Sequence, residues 1–187
     1  GGSVNLVMKE PPRKPRFDVT AGYGLQDMDS RKTYTTKLSY GQYFEDLNMG
    51  LQLSGGYTSN DRASQGFEPS YDDGNLEELD LRHYEIARDR LSFQGALKFD
   101  PSATSRYSLK ATYNKFEDDE IRRRRVDIVE DGEIERELKD RYEVQEIYGI
   151  SFKGKHTLAD SGKLQYKVGY SYAEEHEPNR RDTKFKV

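Results

Sequence analysis

The sequence predicts an all-β protein, an antiparallel up-and-down meander that forms an open segment of a transmembrane β-barrel. The first observation is a two-residue alternation of apolar and polar positions; in residues 47–57 every odd position is apolar, aromatic or glycine. Such alternation is typical of a strand with one apolar face and one polar face. The second observation is that short and long gaps alternate between these segments, as in outer-membrane barrels. The third is that no run of about 18 apolar residues occurs, which excludes a transmembrane helix.

The composition fits a membrane barrel better than a disordered chain. The 187 residues have a formal net charge of -4, with 33% hydrophobic and 34% charged residues, and a mean hydropathy of -1.03. These values alone are typical of a very polar or disordered protein, but 14 Tyr and 8 Phe argue against disorder. A barrel accounts for both properties, because only alternate residues contact lipid. The absence of cysteine fits an oxidising compartment, although cytosolic proteins also lack it.

Seven strands follow from the alternation, and turn residues, prolines or runs of charge bound them. In chain order they cover residues 16–26, 33–42, 47–57, 90–99, 106–116, 144–155 and 163–173. Their apolar phases begin at Phe17, Tyr34, Leu47, Leu91, Tyr107, Val144 and Leu164, respectively. Before the first strand, Pro11 and Pro12 close a short β-prone stretch, because proline cannot donate to a ladder. We expect the third strand to be central in the sheet.

After the second strand, short turns and long polar loops alternate between the strands. The short turns are predicted at residues 27–30, 43–46, 100–105 and 157–162, and the long loops, assigned to the extracellular side, at residues 58–89, 117–143 and 174–187. In the second long loop, the pattern predicts a hairpin that turns at Asp131-Gly132, so strands five and six should continue past the membrane surface and meet there. A strand of about 11 residues, tilted by ~40°, rises roughly 27 Å, close to the apolar band of such barrels.

The apolar faces carry almost no charge and are expected to contact lipid. The residues assigned to lipid are Leu51, Leu53, Phe93, Leu97, Leu109, Tyr113, Ile150, Phe152, Val168 and Tyr170. Tyrosines near strand ends, such as Tyr57 and Tyr172, are typical of the aromatic girdles of membrane barrels. The polar faces would line an aqueous interior or a polar plug. The alternative is a soluble sheet with a tyrosine-rich buried face, against which the regular alternation of turn lengths argues.

The first eleven residues carry a resemblance to a known family. Gly1, Gly2, Asn5, Lys9 and Pro11, with the apolar residues between them, resemble the end of the plug domain of TonB-dependent outer-membrane receptors. Met8 stands where that family commonly has threonine. Residues 88–119 are also similar to the family's early barrel strands. The resemblance implies that residues 1–15 are the end of the plug and its linker, and that residues 16–187 are about seven strands of a 22-stranded barrel.

The resemblance also implies a function, which is the import of a scarce ligand across the outer membrane of a Gram-negative bacterium. Ligands in this family include ferric siderophores, haem, cobalamin and oligosaccharides. Import would be energised by the inner-membrane proton gradient through a periplasmic TonB-type coupling protein, which engages a segment N-terminal to this chain. The chain begins at Gly1-Gly2-Ser3 and stops within an alternating segment, so we interpret it as an internal piece of a larger protein. Two unpaired sheet edges predict that this piece alone is unstable in water.

Four consecutive arginines, Arg122, Arg123, Arg124 and Arg125, are the sharpest run of charge. They are ligand-contact candidates, because they could attract an anionic ligand such as a ferric siderophore or contact lipopolysaccharide phosphates. Strand alternation would send only every second arginine to each face, and nearby acidic residues could pair with them. A solvated loop is therefore the favoured interpretation. Nucleic-acid binding is not expected at this net charge.

No pattern in the sequence predicts a catalytic residue, a cofactor site or a metal site. His83, His156 and His176 are predicted to be too scattered to share one ion. Asp73-Gly74 lies in a stretch resembling a calcium loop, but the bidentate glutamate is missing, so a turn is predicted. We therefore expect no enzyme. Besides import, two functions stay open: a structural or adhesive barrel whose loops bind a partner, and a passive porin.

Overall fold

A computed structural model describes residues 10–158 and 162–186, and within these ranges the chain folds as one β-sheet. The eight strands are β1 (Arg16–Gln26), β2 (Arg31–Phe44), β3 (Met49–Asp72), β4 (Asn75–Ser102), β5 (Ser105–Ile128), β6 (Glu133–Thr157), β7 (Lys163–His176) and β8 (Arg181–Lys186). Within the described part there is no helix that is both long and apolar enough to cross a membrane.

The sheet is an open, antiparallel up-and-down meander. Strands β1 to β7 pair in chain order, and β8 pairs with β6. This confirms the predicted all-β class and the meander topology, whereas the 22-stranded barrel stays a prediction. The third strand has partners on both sides, but β4 occupies the middle of the seven-strand path. We call the end with the β2–β3 and β4–β5 turns the lower end, and the end with the β3–β4 and β5–β6 turns the upper end.

Strand β8 continues β7 rather than turning back. Both strands run antiparallel to β6 along the same edge: His176 lies opposite Val144, and Arg181 lies opposite Asp140. Four residues (177–180) therefore lie between the two strands, facing three residues (141–143) of β6. One extra residue on one strand is the mark of a β-bulge, and Asn179 within it has a φ of 58°. The expected loop after residue 173 is thus largely strand.

The long gap expected at residues 58–89 is instead a continuous β-ribbon, and that part of the prediction is wrong. Strand β3 is 24 residues long and β4 is 28 residues long, and they meet in a two-residue turn. Asp73 and Gly74 have φ values of 46° and 84°, as a tight hairpin turn requires. The ribbon escapes prediction because charged residues interrupt the apolar positions: Phe67 and Leu81 share a face with Asp61 and Glu85, so no regular alternation of hydrophobicity marks it.

The second ribbon has the predicted form. Strand β5 extends to Ile128, β6 begins at Glu133, and these two residues are paired. The turn between them contains Asp131 and Gly132, and the φ of Gly132 is 63°. The hairpin predicted at this dipeptide is therefore confirmed.

The register places all ten residues that were assigned to lipid on one face of the sheet. Leu51, Leu97, Leu109, Phe152 and Val168 lie opposite one another in a single row across five strands. The next row contains Leu53, Ile150 and Tyr170, and a third contains Phe93 and Tyr113. Directly opposed residues share a face. We call this the apolar face, and the other the polar face.

The apolar face is not buried in a core. In residues 10–158 and 162–186 the only buried hydrophobic side chains are those of Ala63 and Val126. Phe93 is 52% exposed and Val168 is 69% exposed. A soluble sheet of this size would cover such a face with a second layer. The arrangement argues against the alternative of a tyrosine-rich buried face.

We predict slow hydrogen exchange of the ladder amides of the β3–β4 ribbon when the protein is held in lipid or detergent. Beyond Asn60, β3 pairs only with β4 among the described strands, so alternate residues of this part of β3 donate to β4. These amides, and those of β4 that donate to β3 or β5, should be protected far longer than the amides of Asp73 and Gly74. Exchange resolved by mass spectrometry measures this, and residues 106–112 within the sheet provide the protected reference. Rapid exchange across residues 59–88 would show an irregular loop.

Candidate functional site

The polar face carries hydroxyl, amide and charged side chains along the whole length of the strands. In its middle lie small and neutral polar residues, including Ser54, Gln94 and Thr112, which are in register across β3, β4 and β5. A cavity of about 570 Å³ on this part of the face is lined by Lys37, Arg90 and neighbouring hydroxyl groups. This face therefore has the chemistry of a wall in contact with water or with polar protein groups.

Residues 10–12, which we call the strap, cross the lower end of the polar face. Pro12 lies against Gly41 of β2, Pro11 lies against Gly50 of β3, and Glu10 binds Lys98 of β4 with a distance of 2.9 Å between the carboxylate and Nζ. Gly50 lies directly opposite Lys98 in the ladder, so these two share the polar face. The chain before β1 thus runs back across three successive strands.

Local geometry fixes the strap at two glycines and one backbone hydrogen bond. Gly41 and Gly50 are both buried. A Cβ at Gly41 would lie 2.8 Å from Cδ of Pro12, and one at Gly50 would lie 2.7 Å from Cγ of Pro11. The N–H of Tyr43 donates to the carbonyl of Pro12 over 2.8 Å. Because the prolines have no N–H, they leave no unsatisfied donor against the sheet.

The upper end of the polar face holds an ion-pair network across β4, β5, β6 and β8. Its centre is Asp80, whose side chain is 4% exposed. Asp80 accepts hydrogen bonds from Arg82 and, over 2.8 Å, from Arg124. Arg124 also pairs with Glu137 at 3.3 Å, which in turn lies 3.6 Å from Lys184. Charges of opposite sign thus connect four neighbouring strands.

A second group of ion pairs lies nearer the middle of the sheet. Asp118 is bound by Arg88 at 3.0 Å and lies 3.5 Å from Arg141. Arg141 also binds Glu120 at 2.9 Å and Glu143 at 3.0 Å. Networks of this kind are worth more than isolated surface pairs, because each charge is held by several partners.

The network sets the ionisation of its members. Burial raises the pKa of Asp80, but hydrogen bonds and charge from Arg124 and Arg82 outweigh burial, so its pKa lies below its ordinary range. The hydrogen bond to Asp80 raises the pKa of Arg124. The pKa of Glu135 is lowered, chiefly by its hydrogen bond from Lys184, over 2.5 Å. All of these groups are therefore charged near neutral pH.

The four arginines do not form one cluster. Alternation places Arg122 and Arg124 on the polar face and Arg123 and Arg125 on the other, as predicted. Their carboxylate partners are Glu137 for Arg122 at 3.8 Å, Glu85 for Arg123, Asp80 for Arg124 at 2.8 Å and Asp127 for Arg125 at 2.7 Å. Neutralisation by these partners weakens all four as contacts for an anionic ligand. Glu85 and Asp80 lie on the neighbouring strand β4, so only the register identifies them as partners.

The three histidines lie far apart in the fold. His83 is in β4, 3.6 Å from both Asp29 and Glu85, His156 is near the lower end of β6, with its Nδ1 3.0 Å from Ser105, and His176 ends β7. Within residues 10–158 and 162–186 there is no group of three or more acidic or histidine side chains that could hold a metal ion. Of the plug-end motif, only Pro11 lies in the described part; Gly1, Gly2, Asn5 and Lys9 lie outside it.

Sequence analysis missed the strap contacts and Asp80. The two glycines could have indicated the strap contacts. Gly41 and Gly50 lie on the polar face opposite large residues, namely Gln52 for Gly41 and Tyr43 and Lys98 for Gly50. Asp80 gave no signal, because the sequence alone does not show that it lies beside Arg124. Comparison with known proteins adds no relative: no family model matches the chain. No curated protein matches it either.

We predict that alanine at Gly41 or Gly50 displaces the strap. The added Cβ would overlap Pro12 or Pro11, and such overpacking costs about 1–3 kcal/mol. The amide of Tyr43 reports the strap directly, so its hydrogen exchange should become faster in either variant. Gly66→Ala is the matched control, because its Cβ would meet only Arg82 Cβ, at 3.7 Å. Unchanged protection of Tyr43 would contradict the prediction.

We also predict that the upper ribbon weakens in acid through Asp80. Since folding lowers the pKa of Asp80 below its ordinary range, its stabilising contribution is complete above the pKa of the unfolded chain. The contribution is lost as the pH falls through the folded pKa. Asp80→Asn should remove this dependence and cost about 2 kcal/mol at neutral pH, because its guanidinium partners lose a charged acceptor. Local hydrogen exchange at residues 79–82 across a pH series measures both effects. Asp182→Asn, at an exposed pair with Arg180, should change neither.

Proposed function

We propose that this chain is part of the transmembrane β-barrel of a TonB-dependent importer in the outer membrane of a Gram-negative bacterium. In this proposal the apolar face contacts lipid, the polar face lines the interior, and the strap leads to a plug domain. The ligand is a scarce small molecule of the siderophore, haem, cobalamin or oligosaccharide classes. The observation that carries the proposal is the exposed apolar face, which stays in register across the paired strands while the strap occupies the opposite face.

Aromatic rows at both limits of the apolar face support the lipid assignment. The upper row contains Phe93, Tyr113, Tyr148 and Tyr172, and the lower row contains Phe99, Tyr107 and Tyr166. Tyr113 lies six positions after Tyr107 in β5, which is about 20 Å along the strand. Tilted by ~40°, this stretch rises roughly 15 Å, so the two rows enclose the central part of the ~25 Å apolar band of outer-membrane barrels.

Charge begins immediately above the upper aromatic row. On the apolar face, the next row contains Lys115, Glu146 and Glu174. The tyrosine hydroxyls point to this row, since Tyr172 donates to Glu174 over 3.0 Å and Tyr113 to Glu146 over 3.3 Å. An apolar ring with a hydroxyl directed at charged groups suits the boundary between lipid tails and headgroups.

The strap favours an importer over a passive porin, because a segment that crosses the polar face fits a barrel whose interior is occupied. A structural or adhesive barrel is the second candidate. The length of the ribbons favours it: β3 continues for 15 residues beyond Tyr57, about 50 Å of strand that could present a binding surface to a partner.

Tryptophan scanning tests the lipid assignment. The chain contains no tryptophan, so Phe93→Trp and Gln94→Trp place one reporter on each face of β4, in a polypeptide whose other tryptophans are replaced by phenylalanine. We expect brominated phospholipid to quench the fluorescence of Phe93→Trp several-fold more strongly than that of Gln94→Trp. Acrylamide should show the opposite preference. Equal quenching of both variants by acrylamide would contradict the barrel.

Energised uptake separates an importer from an adhesive barrel. Cells that express the complete protein are given ferric siderophores, haem, cobalamin or oligosaccharides, with and without a proton uncoupler. An importer accumulates one of these ligands, and the uncoupler abolishes accumulation. Accumulation that the uncoupler leaves unchanged indicates a porin, and surface binding without accumulation indicates an adhesive barrel.

A further inference from the structure

Four lysines form a cluster on the lower part of the polar face, next to the strap. Lys153 and Lys167 lie directly opposite each other on β6 and β7, in the same row as Lys98 of β4. Lys110 lies one row above this level and Lys155 one row below it. We call Lys110, Lys153, Lys155 and Lys167 the lysine patch.

The lysine patch is not neutralised within the sheet. None of its four members has a carboxylate partner in residues 10–158 and 162–186, whereas Lys139, Lys184 and Lys186 on the upper polar face are all paired. Like charges directly opposite each other, as at Lys153 and Lys167, destabilise an antiparallel pair. Lys98 and Arg106 lie beside the four lysines and add further positive charge, although each of these two has an acidic partner.

The strap indicates that the lysine patch can bind carboxylates. The carboxylate of Glu10 already lies in this positively charged region, where it is bound to Lys98. Lys98 lowers the pKa of Glu10, with smaller contributions from the nearby charges of Arg106 and Lys155. Between the strap and the patch lies a cavity of about 240 Å³, lined by Glu10, Pro11, Lys98, Lys110, Lys153 and Lys155. Protein carboxylates can therefore occupy this site in the way that Glu10 does.

We propose that the lysine patch is a docking surface for the acidic face of a protein segment that lies inside the barrel beside the strap. The inference rests on the proposed function, because that function makes the polar face an interior wall. Residues 1–9 contain no Asp or Glu, so the carboxylates come from another segment of the polypeptide. Charge complementarity fixes the orientation of this segment, and the docked segment would exclude bulk water and so strengthen each pair.

Zero-length cross-linking with a water-soluble carbodiimide tests the proposal, because this reagent joins a lysine only to a carboxylate in contact with it. The complete protein is treated in its membrane, and the adducts are identified by mass spectrometry. The pairs Lys98–Glu10 and Lys184–Glu135 are internal controls, at 2.9 Å and 2.5 Å. We expect Lys153 and Lys167 to be joined to Asp or Glu residues outside residues 10–186.

A matched pair of double variants keeps the test specific. Lys153→Glu with Lys167→Glu should abolish these adducts and leave the control adducts in place. Lys32→Glu with Arg136→Glu makes the same change in net charge at two exposed residues outside the patch, and it should leave all adducts unchanged.

Two outcomes would overturn the proposal. In the first, the control adducts form, but the patch lysines stay unlinked and are acetylated as rapidly as the exposed Lys32. In the second, inorganic phosphate alone protects the patch from acetylation, which identifies a site for a free anion. If Phe93→Trp is quenched by brominated lipid in either case, only the docking surface is wrong; if it is not quenched, the barrel itself is wrong.

Discussion

The register of the backbone ladder is the constraint on which the rest of this structure depends. The described sheet has almost no buried hydrophobic core, so side-chain packing does not determine which residues lie next to one another. A slip of one residue in any strand would move its apolar residues to the opposite face. Because Leu97, Leu109, Phe152 and Val168 stay opposite one another, seven strands together present one continuous apolar surface. The continuous apolar surface therefore depends on the backbone pairing of the strands.

The interactions that accompany the ladder change along the strands. Between the aromatic rows the side chains on the apolar face are hydrophobic and exposed, and they need an apolar environment. Above the upper row the continuous apolar surface ends, and cross-strand ion pairs replace it. Asp80, Arg124 and Glu137 connect β4, β5 and β6 in a region where only scattered apolar side chains, such as those of Phe67 and Leu81, are exposed. The ribbons can therefore extend far beyond the apolar band, because their side chains pair with one another instead of requiring a second layer.

The alternation of hydrophobicity predicts only what depends on a difference between the two faces. It located the strands of the apolar band and the face of Phe93 and Val168, since one face there is apolar. It failed at residues 58–89, where charged residues interrupt the apolar positions of both faces, although Asp73-Gly74 carried the same turn chemistry that revealed the hairpin at Asp131-Gly132. Ion-pair partners such as Asp80 for Arg124 are 44 positions apart in sequence, so only the register brings them together.

The two ends of the polar face meet the same physical requirement in different ways. A buried or enclosed charge needs a partner of opposite sign. At the upper end the sheet supplies both signs itself, through Asp80, Glu135 and Glu137 and their cations. At the lower end it supplies cations in excess, and the strap contributes only one carboxylate, that of Glu10. Under the proposed function this lower end is enclosed, so its charge must be balanced from outside the sheet. An incomplete charge balance is therefore the reason to expect a second protein surface there.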